Sequence, residues 1–215
     1  MKVLLLGATG RLGKELVIKL NAEKVNTVAL VRDTSKINVS FDYVRFVEGD
    51  PNSLDNLKRA IDGCIMVITT LNISRVSDFP WSKLRAPKTL LSDTMRNLIL
   101  LAKENDVKKI ITVSAWGANE SKSQLPFWFR WTIDYSNISY GYLDHERQET
   151  LLMQSNLDWT IIRPVGLSNS QQAKAAFASV ESEVNGYIVS RKSIANFLVE
   201  NMENEDYNRE VVTLS

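Results

Sequence analysis

One histidine, one cysteine and three closely spaced glycines are where this sequence offers reactive or ligand-gripping groups. His145 lies in "SYGYLDHERQE" (139–149), between Asp144 and Glu146 and just past Tyr140 and Tyr142. An imidazole titrates near ~6.5 and can pass a proton in neutral water. Here it is a catalyst, a cofactor ligand or a passenger on a charged, solvated helix face; its neighbours do not choose among these. Cys64 follows Gly63 and precedes the apolar "IMVIT", which reads as a buried, inert strand residue rather than a nucleophile. The glycines are more specific. "GATGRLG" puts Gly7, Gly10 and Gly13 between an apolar strand and a helix with Leu12, Leu16, Val17 and Leu20 on one face. Gly7 permits a tight turn, Gly10 lets the backbone approach a pyrophosphate, and Gly13 lets the helix pack on the sheet. The helix start adds free amides and a positive dipole end, so Thr9, Arg11 and Leu12 join the expected dinucleotide contacts.

The elements that position these residues alternate along the chain. Apolar strands are expected at 2–7, 26–33, 43–50, 64–72, 108–117 and 158–166. Helices fall between them, one over about residues 143–155, and the tail adds a strand, a helix and a last strand. Runs that are apolar throughout are buried on both faces, so the sheet should be mostly parallel and doubly wound. The expected architecture is α/β, one Rossmann-type domain over residues 1–215 with a short C-terminal helix–strand appendage and no separate substrate domain.

Lys+Arg 26 against Asp+Glu 25 leaves a net charge of +1 with no long basic stretch, so no nucleic-acid partner is expected. A single cysteine excludes an internal disulfide framework and fits a reducing cytoplasm. The first strand is too short for a signal peptide, and no run approaches the ~18 apolar residues of a membrane span. The expectation is a cytoplasmic monomer or weak homo-oligomer with no membrane partner and no metal.

Which dinucleotide binds depends on the end of the second strand. NAD binders carry an acid there for the ribose hydroxyls. This chain has Arg32, whose guanidinium suits a 2′-phosphate through charge-assisted bonds worth ~1.5–3 kcal/mol each. Arg11 could face the same phosphate, although Asp33 lies beside Arg32. NADP is favoured over NAD. Asp50, closing the third strand, could meet the adenine amino group, and Thr69, Thr70 and Leu71 end the fourth strand beside the ribose and pyrophosphate.

"GATGRLG", "ALVRD", "VEGD" and "SNLDWTIIRPVGL", in that order over about residues 1–170, resemble the atypical short-chain dehydrogenase/reductase superfamily in its NmrA-like branch. The flavin reductase/biliverdin reductase B type is the nearest in pattern. The resemblance implies a Rossmann fold and NADPH-dependent reduction of a small planar acceptor: a flavin, a quinone or a bilin. It also places Ser114 at the position of the family serine and adds Pro164 of "RPVG" to the cofactor contacts. The family's tyrosine and lysine positions fall on Gly141 and His145, so the YxxxK pair is missing. Alcohol oxidation and sugar-nucleotide epimerisation, which need a base at a substrate hydroxyl, are therefore disfavoured. His145 would take the lysine's place beside the nicotinamide ribose, and Ser114 would bond substrate or carboxamide. A rival implication is a redox sensor that binds NADP without turnover. The segment 116–142, with Trp116, Phe127, Trp128, Phe129, Trp131 and Tyr135, is either a stacking surface for the acceptor or a short helix packed on the core or on another subunit.

Overall fold

Leu4, Leu5 and Leu6 in the first strand, and Val28 to Val31 in the second, are buried on both sides of their strands. Such segments need a cover of helices above and below. The computed structural model describes residues 1–35 and 37–215 and supplies that cover. Its elements are β1 (Lys2–Leu6), α1 (Arg11–Ala22), β2 (Asn26–Val31), β3 (Val44–Glu48), α2 (Leu54–Ile61), β4 (Met66–Thr69), α3 (Leu90–Glu104) and β5 (Lys109–Val113). They continue with α4 (Phe127–Asp134), α5 (Ser139–Met153), β6 (Asp158–Pro164), β7 (Gly166–Ser168), β8 (Ala178–Ser179), β9 (Ile188–Ser190), α6 (Arg191–Asn201) and β10 (Glu210–Leu214).

The main sheet has the order β3-β2-β1-β4-β5-β6-β10-β8. Every pairing from β3 to β10 is parallel, and only the edge strand β8 runs antiparallel. This is the doubly wound, mostly parallel α/β arrangement. On one face Val3 and Leu5 pack with Leu16 and Leu20 of α1 and with Ile194 and Leu198 of α6. On the other, Leu4 and Leu6 pack with Leu57 of α2, Met95 and Leu98 of α3 and Leu152 of α5. The C-terminal helix and strand belong to these layers: α6 lies against α1, and β10 extends the sheet beside β6. β7 and β9 form a separate two-stranded parallel ribbon.

Two of the elements that differ from the sequence expectation in extent bear on the site. β4 is shorter than 64–72, because the chain leaves the sheet after Thr69. α5 begins at Ser139, four residues early, so Tyr140, Gly141 and Tyr142 are helical. The 3.6-residue rotation now fixes where each of them points.

Candidate functional site

All six leading strands are parallel, so their carboxyl ends share one edge of the sheet. Every predicted site residue outside α5 follows one of those ends: Gly7–Gly13 after β1, Arg32 after β2, Asp50 after β3, Thr69–Leu71 at β4, Ser114 after β5 and Pro164 at β6. β1 lies between β2 and β4, so the strand order reverses there and a crevice opens beyond it.

The glycine turn is built by close backbone approach. Gly7 has φ 86°, and a Cβ on it would lie 2.7 Å from Thr70 Oγ1 and 2.9 Å from the Thr70 carbonyl carbon. Thr70 N donates to Leu6 O at 3.0 Å, clamping β4 to the turn. A Cβ on Gly13 would lie 2.1 Å from Gly7 O. Gly10, the N-cap of α1, is different: a Cβ there meets only Gly7 O, at 3.1 Å. Among the described residues no side chain caps α1, and its first turn holds no acid. The amides of Arg11, Leu12 and Gly13 are therefore available to an anion, as a pyrophosphate cradle requires.

Around the crevice the side chains divide by how they are engaged. Arg32 is exposed and makes no ion pair among the described residues. Nearby acids accept from the loop after β2: Asp33 from Ser35 Oγ at 2.5 Å, Glu48 from Thr34 Oγ1 at 2.8 Å. Asp50 accepts from Asn52 N at 2.9 Å, and Thr69 Oγ1 accepts from Leu71 N at 3.4 Å. Arg11 donates to both oxygens of Asp78, at 2.9 and 3.2 Å, so a cofactor phosphate would compete with that carboxylate. Hydrogen bonding to Arg11 and its charge hold Asp78 below the usual carboxylate range. Arg191, buried at the start of α6, donates to Asn169 at 2.7 Å. Burial and the neighbouring Arg11 charge lower its proton affinity. Neither Asp78 nor Arg191 carried a motif in the sequence; only their fold positions reveal them.

The stretch "DHERQE" is not a solvated face. Asp144, His145, Gln148 and Glu149 are all buried. Asp144 caps α3 from outside, accepting from Leu91 N at 2.7 Å and from Ser92 Oγ at 2.5 Å. Gln148 joins β5 to the imidazole: its Oε1 accepts from Thr112 at 3.3 Å, and its Nε2 donates to His145 Nδ1 at 2.8 Å. The hydrogen of a neutral ring then sits on Nε2. Burial depresses the His145 pKa from 6.5 to about 4, so the ring is neutral near pH 7. Desolvation penalises the imidazolium, so the ring enters this site as a neutral hydrogen-bonding group.

Gly141 leaves room, its nearest neighbour being Asn72 Oδ1, 3.7 Å from a would-be Cβ. The flanking tyrosines are engaged elsewhere. Tyr142 donates to Trp116 O at 3.3 Å, and burial pushes its hydroxyl up to about 12. Tyr140 lies under Lys88, with Nζ 3.7 Å from the ring centroid. Ser114 N donates to Ile162 O at 2.7 Å, while its buried hydroxyl has no partner among the described residues. Two residues on, Trp116 helps line an open depression of about 570 Å³ with Phe177, Val184 and Tyr187.

The His145 environment makes a testable statement about acid stability. The folded pKa lies below the unfolded one, so the unfolded chain binds more protons between pH 6.5 and about 4. Stability is complete above 6.5 and falls through that window, by about 3 kcal/mol for a shift of this size. Urea unfolding at pH 7 and pH 4.5 should show this loss in the natural sequence and a smaller one in His145→Gln; equal losses would mean the ring is solvated.

The orphan amides of α1, the open space at Gly10 and the unpartnered Ser114 hydroxyl fit a dinucleotide laid along this edge. Comparison with known proteins gives the fold and the family. A short-chain dehydrogenase/reductase from Veillonella parvula, solved in complex with NADP, matches with a TM-score of 0.78 at 18% identity, covering 100% of this chain and 94% of its own. An anaerobilin reductase, ChuY, from Escherichia coli matches with a TM-score of 0.80 at 21% identity, covering 100% and 96%. The oxidoreductase YlbE from Lactococcus lactis gives 0.80 at 18% identity, covering 100% and 90%. At these identities the likeness is one of fold. The family model described as NAD(P)H-binding matches residues 7–205, nearly the whole chain, and the protein belongs to that NAD(P)H-binding family.

Proposed function

We propose that the protein is an NADPH-dependent reductase that passes hydride to a small planar acceptor, a flavin, a quinone or a bilin. One observation carries this reading: neither motif position holds a tyrosine or a lysine. The position that would hold a tyrosine is Gly141, and the one that would hold a lysine is a buried, neutral His145. Reactions that abstract a proton from a hydroxyl need such a base. Hydride transfer between stacked planes needs chiefly orientation, and NADPH supplies the hydride when bound. The matching proton comes from water, giving the reduced acceptor and NADP⁺.

In this reading the residues of the chain bind and align. Amides of Thr9 and of Arg11 to Gly13 grip the pyrophosphate, with Gly7 and Gly10 giving room. Arg32 takes the 2′-phosphate, for which its exposure and lack of an ion pair among the described residues suit it, and Arg11 can join after leaving Asp78. Asp50 meets the adenine; Thr69, Thr70 and Leu71 run beside the ribose. Pro164 and the Ser114 hydroxyl face the carboxamide, and His145 offers Nε2–H to the nicotinamide ribose.

The test follows NADPH and NADH oxidation with FMN, riboflavin, a quinone and a bilin, for the natural sequence and for Arg32→Ala. Multiple turnover with at least one acceptor is expected. Arg32→Ala should weaken NADPH binding roughly ten- to hundredfold and leave NADH nearly unchanged, as loss of charge-assisted bonds to one phosphate predicts. Equal effects on both cofactors would remove the NADP assignment. A second reading is a sensor that binds NADP without turnover, which the missing tyrosine and lysine suit equally. Tight NADPH binding with no oxidation across the panel would select it.

A further inference from the structure

The segment between β4 and α3 contains a hairpin that no motif announces. Arg75 bridges Leu84, Val76 N donates to Lys83 O at 2.9 Å, and Arg85 N donates to Ser74 O at 2.8 Å. Its tip carries Phe79 and Trp81, with ring centroids 5.3 Å apart. The tip is tied to the end of α4. Trp81 Nε1 donates to Tyr135 O at 2.8 Å, Asn137 N donates to Pro80 O at 3.1 Å, and Asn137 Nδ2 donates to Trp81 O at 2.9 Å. Hairpin and helix therefore present one surface.

That surface is aromatic and exposed. Phe79, Trp81, Phe127, Trp128, Trp131 and Tyr135 are each between 46% and 76% accessible. Only Phe129 and Ile133 of α4 turn towards the core. A contiguous patch of this kind marks an interaction site. Its charge narrows the partner. Arg75, Lys83, Arg85 and Arg130 lie on the same two elements, and none makes an ion pair among the described residues. The two acids, Asp78 and Asp134, are already paired with Arg11 and Lys122. A surplus of cations thus flanks the rings.

We propose that this face, the aromatic-tipped hairpin with α4, docks on the surface of an anionic lipid bilayer. Indole and phenyl rings seat at the headgroup level, and each nearby Lys or Arg is attracted to anionic lipid. A second copy fits less well, since an isologous pairing would set the same cations against one another. The contact is peripheral: no described helix is long and apolar enough to cross a membrane. It departs from the expectation of no membrane partner, which weighed only spanning segments. Through Asp78 and Arg11 the hairpin touches the glycine turn, so the docked face borders the cofactor crevice.

The test is co-sedimentation of the full chain with phosphatidylglycerol/phosphatidylcholine vesicles and with phosphatidylcholine vesicles, without cofactor. Docking predicts binding to the anionic vesicles, weakened by salt, and a blue shift of tryptophan emission. Phe79→Ser/Trp128→Ser and Lys83→Glu/Arg85→Glu should each lower the partition roughly tenfold. NADPH affinity, measured separately, should stay unchanged in both, which shows that the variants fold and keeps the result independent of the reductase reading. No anionic-vesicle binding at low salt would overturn the proposal. So would concentration-dependent dimerisation in sedimentation velocity that Phe79→Ser/Trp128→Ser abolishes, since that assigns the face to a second copy.

Discussion

Arg163→Met should destabilise the fold by about 3–5 kcal/mol, the usual cost of removing one partner from a buried ion pair. Arg163 and Glu149 both have fully buried side chains. The guanidinium donates through Nε to Glu149 Oε1 at 3.1 Å and through Nη2 to Glu149 Oε2 at 2.7 Å. Its Nη1 bonds the exposed Glu120. Burial alone would lower the proton affinity of Arg163, but hydrogen bonds to Glu149 and Glu120 and their charges raise it above its ordinary value. Desolvation likewise pushes Glu120 up, yet the Arg163 bond and other favourable contacts outweigh it and hold the carboxyl down. Methionine fills most of the space but leaves buried Glu149, among the described residues, with Asn119 Nδ2 as its remaining donor. Replacing both partners, Arg163→Met with Glu149→Leu, should recover most of the loss, because two apolar side chains leave no orphaned charge. Urea denaturation of the four members of this cycle measures it. A single-mutant loss under about 1 kcal/mol would mean that water reaches the pair, contrary to its burial.

The same network shows where sequence reasoning stops. The β/α alternation, the parallel sheet and the strand-end position of "GATGRLG" could be read directly, because each rests on local periodicity and turn chemistry. The state of α5 could not. "DHERQE" has the composition of a solvated face, yet Asp144 is buried by amides 53 and 52 residues away at Leu91 and Ser92, and Glu149 by Arg163. Polar side chains are buried when distant partners satisfy them, and one sequence does not show such partners. His145 follows its helix inward, which reverses its expected titration. The aromatic segment divides for a related reason. Trp116 is buried, its Nε1 donating to Gln124 Oε1 at 2.9 Å, while Phe127, Trp128 and Trp131 of α4 are exposed. The hairpin itself is defined by a single bridge and two flanking hydrogen bonds, too little for a periodicity signal.

Gly13→Ala and Gly10→Ala should both abolish tight NADPH binding, but for different physical reasons that stability measurements separate. A methyl on Gly13 would sit 2.1 Å from Gly7 O and 2.8 Å from Ala8 Cα. These are backbone atoms that no rotamer change can move, so α1 must shift off the sheet. Overpacking of this kind costs about 1–3 kcal/mol, and more when the backbone is fixed. The displaced helix would carry its amides away from the pyrophosphate, so a loss of affinity above roughly hundredfold should accompany the lower urea midpoint. Gly10 has an ordinary extended backbone, and its added methyl would meet only Gly7 O, at 3.1 Å. The protein has room for it after a small adjustment, so Gly10→Ala should unfold within about 0.5 kcal/mol of the natural sequence. Its binding loss then has one remaining source, a methyl standing where the cofactor backbone must approach. Calorimetric titration with NADPH beside urea midpoints for both variants decides the matter. Unchanged affinity in Gly10→Ala would place the dinucleotide elsewhere than over this turn, and the assignment of Arg32 to the 2′-phosphate would fall with it.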